Sequence, residues 1–151
     1  MGSYMTRKCL SVKAKEMDGL AGAIIMGTGT EASGTINAGL AFINFLSFFH
    51  SDEYRSTMVR DMTYSAPYKQ YDCTGATPDN SWLTKDVEIV KKYYSDPKCT
   101  YTFSLGAYRG LVESTKYDND PANIAKMKKD LPVFFVSGAC DPVGNMGKGV
   151  E

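Results

Sequence analysis

The chain has 151 residues, of which 43% are hydrophobic and 23% charged, a composition that suits one globular domain and excludes a disordered or fibrous chain. Seventeen Lys and Arg balance seventeen Asp and Glu, which removes the basic footprint of a nucleic-acid binder or a polybasic membrane anchor.

Residues 4–15 predict a helix, with Met5, Cys9 and Val12 on one face and Arg7, Lys8, Lys13 and Lys15 off it. Asp18-Gly19 breaks that pattern. Ala23-Ile24-Ile25-Met26, closed by Gly27-Thr28-Gly29, predicts a short strand buried on both faces. From Thr35 to Phe49 the chain is nearly all apolar, and Asn37, Asn44, Ser47 and Ser51 fall on one narrow stripe, so a helix buried nearly all round is expected. It is too short and too interrupted for a membrane span. Asp52 to Met62 reads as one amphipathic helix, and residues 63–81 as a long loop rich in Tyr, Pro, Asp and Gly. Thr84 is the expected N-cap of a helix over Lys85–Tyr94, stopped by Ser95-Asp96-Pro97. Further helices are expected over Thr102–Thr115 and from Pro121. Val133-Phe134-Phe135-Val136, closed by Ser137-Gly138, is a second apolar strand.

Two apolar strands far apart in sequence, each followed by loop and helix, imply parallel pairing in an α/β sheet. A parallel pair is seldom stable alone, so the chain reads as part of a larger sheet whose remaining strands lie outside it.

Several residues could carry chemistry. Asp141 follows an apolar strand, where open α/β sheets gather ligand and catalytic groups; it is also the first residue of an ordinary Asp-Pro turn. Gly27-Thr28-Gly29-Thr30-Glu31-Ala32 fits the loose dinucleotide-binding pattern. The acidic residues about twenty positions on, Asp52 and Glu53, follow a Phe-rich helix instead of ending a strand. His50 is the one histidine, at a helix C-terminus where the dipole favours it. Phe42, Phe45 and Phe49 would suit an acyl-chain pocket, or simply pack against a neighbouring element. Cys9, Cys73, Cys99 and Cys140 show no C-x-x-C pair and read as free thiols in a reducing cytoplasm. No metal site and no cofactor is expected.

Several segments together resemble the serine α/β-hydrolase family, in particular its bacterial lysophospholipase, monoacylglycerol-lipase-like and serine-aminopeptidase-like branch. The carriers are Asp18 to Gly29, Trp82-Leu83-Thr84-Lys85-Asp86, Tyr94 to Cys99 with Phe103, and above all Lys129 to Gly144. The resemblance implies a partial α/β-hydrolase fold: two parallel core strands plus a helical cap. Residues 1–29 would be partial core, 30–120 the cap, and 121–151 partial core with the acid loop. Asp141 would be the triad acid, in the family order Ser, Asp, His.

Against that pattern the opening Met1-Gly2-Ser3-Tyr4 aligns just behind the nucleophile of a G-x-S-x-G elbow, often Gly-His-Ser-Met-Gly-Ser in this branch. Met1 would then sit at the oxyanion-donor position, although as a first residue it carries an amino group and no peptide N–H. His50 precedes Asp141 and breaks the family order, so it is not carried over as the base. The expectation is a truncated segment running from behind the nucleophile to just past the acid, resembling a carboxylic-ester hydrolase but inactive or impaired alone. Its substrate, once completed, would be a small ester or lipid-like molecule. The alternative is a non-catalytic binding or assembly module formed as a homo-oligomer or with a complementing chain. Neither reading involves nucleic acid or a membrane span.

Overall fold

A computed structural model describes residues 1–64 and 66–150. In chain order the elements are α1 (Gly2–Val12), β1 (Ala23–Met26), α2 (Ser33–Phe49), α3 (Thr57–Thr63), α4 (Val87–Ser95), α5 (Pro97–Thr100), α6 (Leu105–Asp118), α7 (Pro121–Ile124) and β2 (Val133–Val136). Short 3-10 turns lie at Ala14–Glu16, Ala66–Gln70, Pro78–Asn80 and Pro142–Gly144. The chain is mixed α/β and mostly helical. No helix is long and apolar enough to cross a membrane among the described residues.

The expected parallel pairing is present: Ala23, Ile24, Ile25 and Met26 stand opposite Val133, Phe134, Phe135 and Val136. Alternation along a strand puts Ile24, Met26 and Phe134 on one face and Ile25 and Phe135 on the other. The strands are not buried on both faces as the apolar runs predict. Ile25 is buried, yet Ile24, Met26 and Phe134 are each about two-thirds exposed, at 69, 66 and 66%. Helix α1 packs against β1.

The stripe that α1 buries is Arg7, Leu10 and Ser11, continued by Ala14, while Met5, Cys9 and Val12 stay exposed. Apolar periodicity misses this because the two polar residues have partners inside. Arg7 donates to Thr28 Oγ1 at 3.3 Å, to the Gly29 carbonyl at 2.9 Å and to the Asp118 carbonyl at 3.2 Å. Ser11 donates to the Asn123 carbonyl at 2.7 Å and meets the Tyr117 hydroxyl at 3.2 Å. Buried polar groups with partners cost little, and these five bonds fasten α1 to the loop after β1, to α6 and to α7.

The long apolar helix is α2, but only Ile36 and Ile43 of it are buried. Its polar stripe lies at the solvent edge of the contact with α6. Lys116 donates to Asn37, and Arg109 donates to Asn44, Ser47 and the Asp52 carboxylate. Apolar residues fill the space between these bonds. Ile43 meets Val59, Leu105 and Tyr108, with Phe42, Leu46, Phe103 and Val112 packed around them. The opposite side of α2 carries Phe45, Phe48 and Phe49, all exposed, whose rings form edge-to-face pairs 5.1 and 5.3 Å apart.

Helix boundaries follow their caps. Asp52 to Ser56 is not helical, because the carbonyls of Asp52 and Tyr54 accept the first amides of α6, from Gly106 and Leu105, at 2.9 Å each. Helix α3 therefore starts later, with Ser56 Oγ accepting from Val59 N. Asp86, not Thr84, caps α4, taking the amides of Glu88 and Ile89, while Thr84 accepts from Asp86 N one step earlier. Ser104 caps α6, so Thr102 and Phe103 stay outside it. Helix α7 starts at Pro121, as expected, capped by Asp120.

Candidate functional site

Three segments converge at the C-terminal end of the parallel strands. Beyond β1, Gly27 turns with φ +58°, a left-handed value that glycine adopts without strain. Its carbonyl accepts from Ser3 Oγ at 3.1 Å, so the first turn of α1 is tied to the strand end. Gly29 lies directly against the loop after β2: a Cβ there would stand 2.7 Å from the Val143 carbonyl. Gly144 is the reciprocal case, its Cβ falling 2.8 Å from the Thr28 carbonyl. The two loops touch backbone to backbone, which no larger residue permits.

Asp141 stands in this seam. It caps the turn Pro142–Gly144, with Oδ1 accepting from Val143 N at 2.9 Å. Its own amide donates to Gly138 O, and its carbonyl accepts from Met146 N, each at 3.0 Å. The Oδ1 bond orients the side chain, and Oδ2, near Gly27, has no hydrogen-bond partner among the described residues. The open oxygen can accept from an N–H donor presented above the strand ends.

A cleft of about 530 Å³ runs beside Asp141, between Gly138–Val143 and residues 79–85. Trp82, Tyr71 and Lys85 line it together with Asp79. The Tyr71 hydroxyl donates to the Cys140 carbonyl at 3.1 Å and closes one end. Trp82 packs with the rings of Tyr64 and Tyr68 and donates through Nε1 to the Tyr94 hydroxyl at 3.3 Å. Burial pushes the Tyr64 phenol up to about 12. Burial also raises Tyr68, and the Asp141 carboxylate adds to that rise, so the phenol stays a neutral donor across the physiological range. Asp72 organises the far wall: its carboxylate accepts from the amides of Thr74 and Thr77 at 2.8 Å and from the Thr74 hydroxyl, which lowers its pKa.

The other sequence-predicted residues lie elsewhere. Met1 is exposed at the start of α1. Phe42 packs into the helical core, while Phe45 and Phe49 stand on the open face of α2, and none of the three lines the cleft. His50 is exposed and stacks on Tyr54, ring centroids 4.0 Å apart, with no hydrogen bond to Asp141 among the described residues. The four cysteines are free. Among the described residues no His, Cys, Asp and Glu side chains gather as a metal-ligand set.

No family model, no curated protein and no solved structure matches this chain. Sequence reasoning singled out Asp141 but missed Tyr68, Tyr71, Trp82 and Ser137. The Ser137 hydroxyl, at the end of β2, is buried without a hydrogen-bond partner among the described residues. The dipeptide Ser137-Gly138 closing an apolar strand was the available signal for it. Tyr71 and Trp82 reach the cleft, with Tyr68 packed against Trp82, through the folding of residues 66–82, a stretch with no periodic pattern.

Proposed function

We propose that this chain supplies the acid-bearing part of an α/β-hydrolase-type site acting on carboxylic esters. In this reading Asp141 is the acid of a Ser-Asp-His triad, and the serine and histidine come from outside these 151 residues. The observation that carries the proposal is the state of the Asp141 carboxylate at the strand ends. One oxygen is pinned by the Val143 amide and the other is open. A triad acid needs this division, since it must be held rigidly and still accept the imidazole N–H that it orients. The oriented imidazole takes the proton of the attacking serine and later returns it to the leaving group. His50, stacked on Tyr54, is not that base. The cleft beside Asp141, with Trp82 and Leu83 among its lining, would hold a small ester or lipid-like substrate. The free thiols suit a cytoplasmic setting.

Hydrolysis of a short-chain p-nitrophenyl ester tests this reading in two proteins. The purified 151-residue chain is expected to match its Asp141→Ala variant, with no turnover above background. A protein extended through the flanking coding sequence, carrying a Gly-x-Ser-x-Gly turn and a later His, is expected to turn over. It should lose activity by about ten-thousand-fold on Asp141→Asn. Turnover by the short chain that Asp141→Ala abolishes would refute the need for outside groups. An extended enzyme indifferent to Asp141→Asn would refute the assignment.

A second reading, a binding or assembly module, draws on the uncovered sheet face of Ile24, Met26 and Phe134 and the open aromatic face of α2. It expects dimers or a complementing chain, and a sharp monomer across micromolar concentrations in sedimentation would count against it.

A further inference from the structure

Asp118, the last residue of α6, is buried to 2% exposure, and among the described residues neither of its carboxylate oxygens has a hydrogen-bond partner. The Asn119 Oδ1 beside it is likewise a buried acceptor without a donor among the described residues. Arg7 is next to them but is spent elsewhere: its guanidinium bonds Thr28 Oγ1, the Gly29 carbonyl and the backbone carbonyl of Asp118, and forms no ion pair with the Asp118 carboxylate. A buried anion without hydrogen bonds is costly, whereas the protonated acid is tolerated. One cation thus stands between two claims, the loop after β1 and a carboxylate that lacks a donor.

We propose that Asp118 and Arg7 form a proton-operated latch on the loop after β1. With the carboxyl protonated, Arg7 holds Thr28 and Gly29 against the seam beside Asp141. With it ionised, the carboxylate competes for the guanidinium and that hold weakens. The charged and titratable groups facing this joint are Tyr4, Arg7 and Lys8 of α1, Glu31 of the loop, Tyr117 and Asp120 near the end of α6, and Lys126 beyond α7. Burial raises Asp118 from the ordinary value of 3.8 to about 6, while Arg7 and Lys8 pull it back only in part. The sign follows from that rise. The native state keeps its proton to a higher pH than the unfolded chain, so this stabilisation is complete below about pH 4 and is lost as pH rises through about 6.

Urea unfolding of the wild type and of Asp118→Asn between pH 4 and pH 8 tests the energetic half. The wild-type folding constant should fall relative to the variant by roughly ten- to a hundredfold, with the change centred between pH 4 and 6. The amide NMR shifts of Thr28 and Gly29 test the latch itself. They should titrate near pH 6 in the wild type and stay still over that range in the variant. A difference curve flat with pH, or Thr28 and Gly29 signals that move identically in both proteins, overturns the proposal. If the variant does not fold, the wild-type Asp118 carboxyl carbon signal decides. A midpoint near 6 that the Thr28 and Gly29 amides share supports the latch, and one near 4 refutes it.

Discussion

The helical half and the sheet half of this molecule solve burial differently. Around Ile43, Val59, Leu105 and Tyr108 the helices enclose apolar side chains on every side, and Arg109 and Lys116 seal the flank through the polar stripe of α2. The sheet half encloses Ile25 and leaves Ile24, Met26 and Phe134 to solvent. It is held instead by polar and backbone contacts: the three bonds of Arg7, the Ser3 bond to Gly27, and the backbone seam at Gly29 and Gly144. One half is closed by packing, and the other is pinned at its functional edge while its face stays open. Parallel sheets are ordinarily covered on both sides, so the open face is where this chain has room for more structure.

Truncating one apolar residue in each half would test the contrast most strongly. Leu105, fully buried, should cost about 2–5 kcal/mol when changed to Ala. Phe134→Ala should cost less than about 1 kcal/mol in dilute urea melts of the same protein. Should Phe134→Ala prove as damaging as Leu105→Ala, and more so at higher protein concentration, the face is covered in solution by a second copy. Gly144→Ala is next in size. Its new methyl meets the Thr28 carbonyl, so a loss of about 1–3 kcal/mol is expected from thermal unfolding, together with movement of the Asp141 signals. Asp86→Ala touches neither the core nor the seam. It removes the acceptor for Glu88 N and Ile89 N and should cost about 1 kcal/mol with the rest of the spectrum unchanged.

Local signals in the sequence located most elements. Val133–Val136 and Ala23–Met26 are unbroken β-favouring runs closed by glycine, and Pro121 follows a capping Asp, so their positions were legible. Which faces these elements bury was not. Asn37, Asn44 and Ser47 do edge on solvent, yet they bond Arg109 and Lys116 across to α6, and Arg7 looks like a surface residue until Thr28, Gly29 and Asp118 surround it. Such polar residues depend on partners far along the chain, which hydrophobic periodicity does not encode. The helix expected over Asp52–Met62 gave way for a similar reason, since two of its carbonyls serve α6. At the candidate site Asp141 was legible because strand ends collect function. Tyr68, Tyr71 and Trp82 were not, because the loop that carries them follows the Asp72 hydrogen bonds and not a repeat.

The direct meeting of Gly29 and Gly144 also separates framework from selectivity. The contact itself is backbone on backbone, with Tyr4, Ser137 and Val150 beside it, so peptide dimensions set the spacing of the two loops beneath the Asp141 carboxyl. Residues such as Trp82, Lys85 and Asp79 can then be exchanged to reshape what the neighbouring groove admits, while the acid keeps its station.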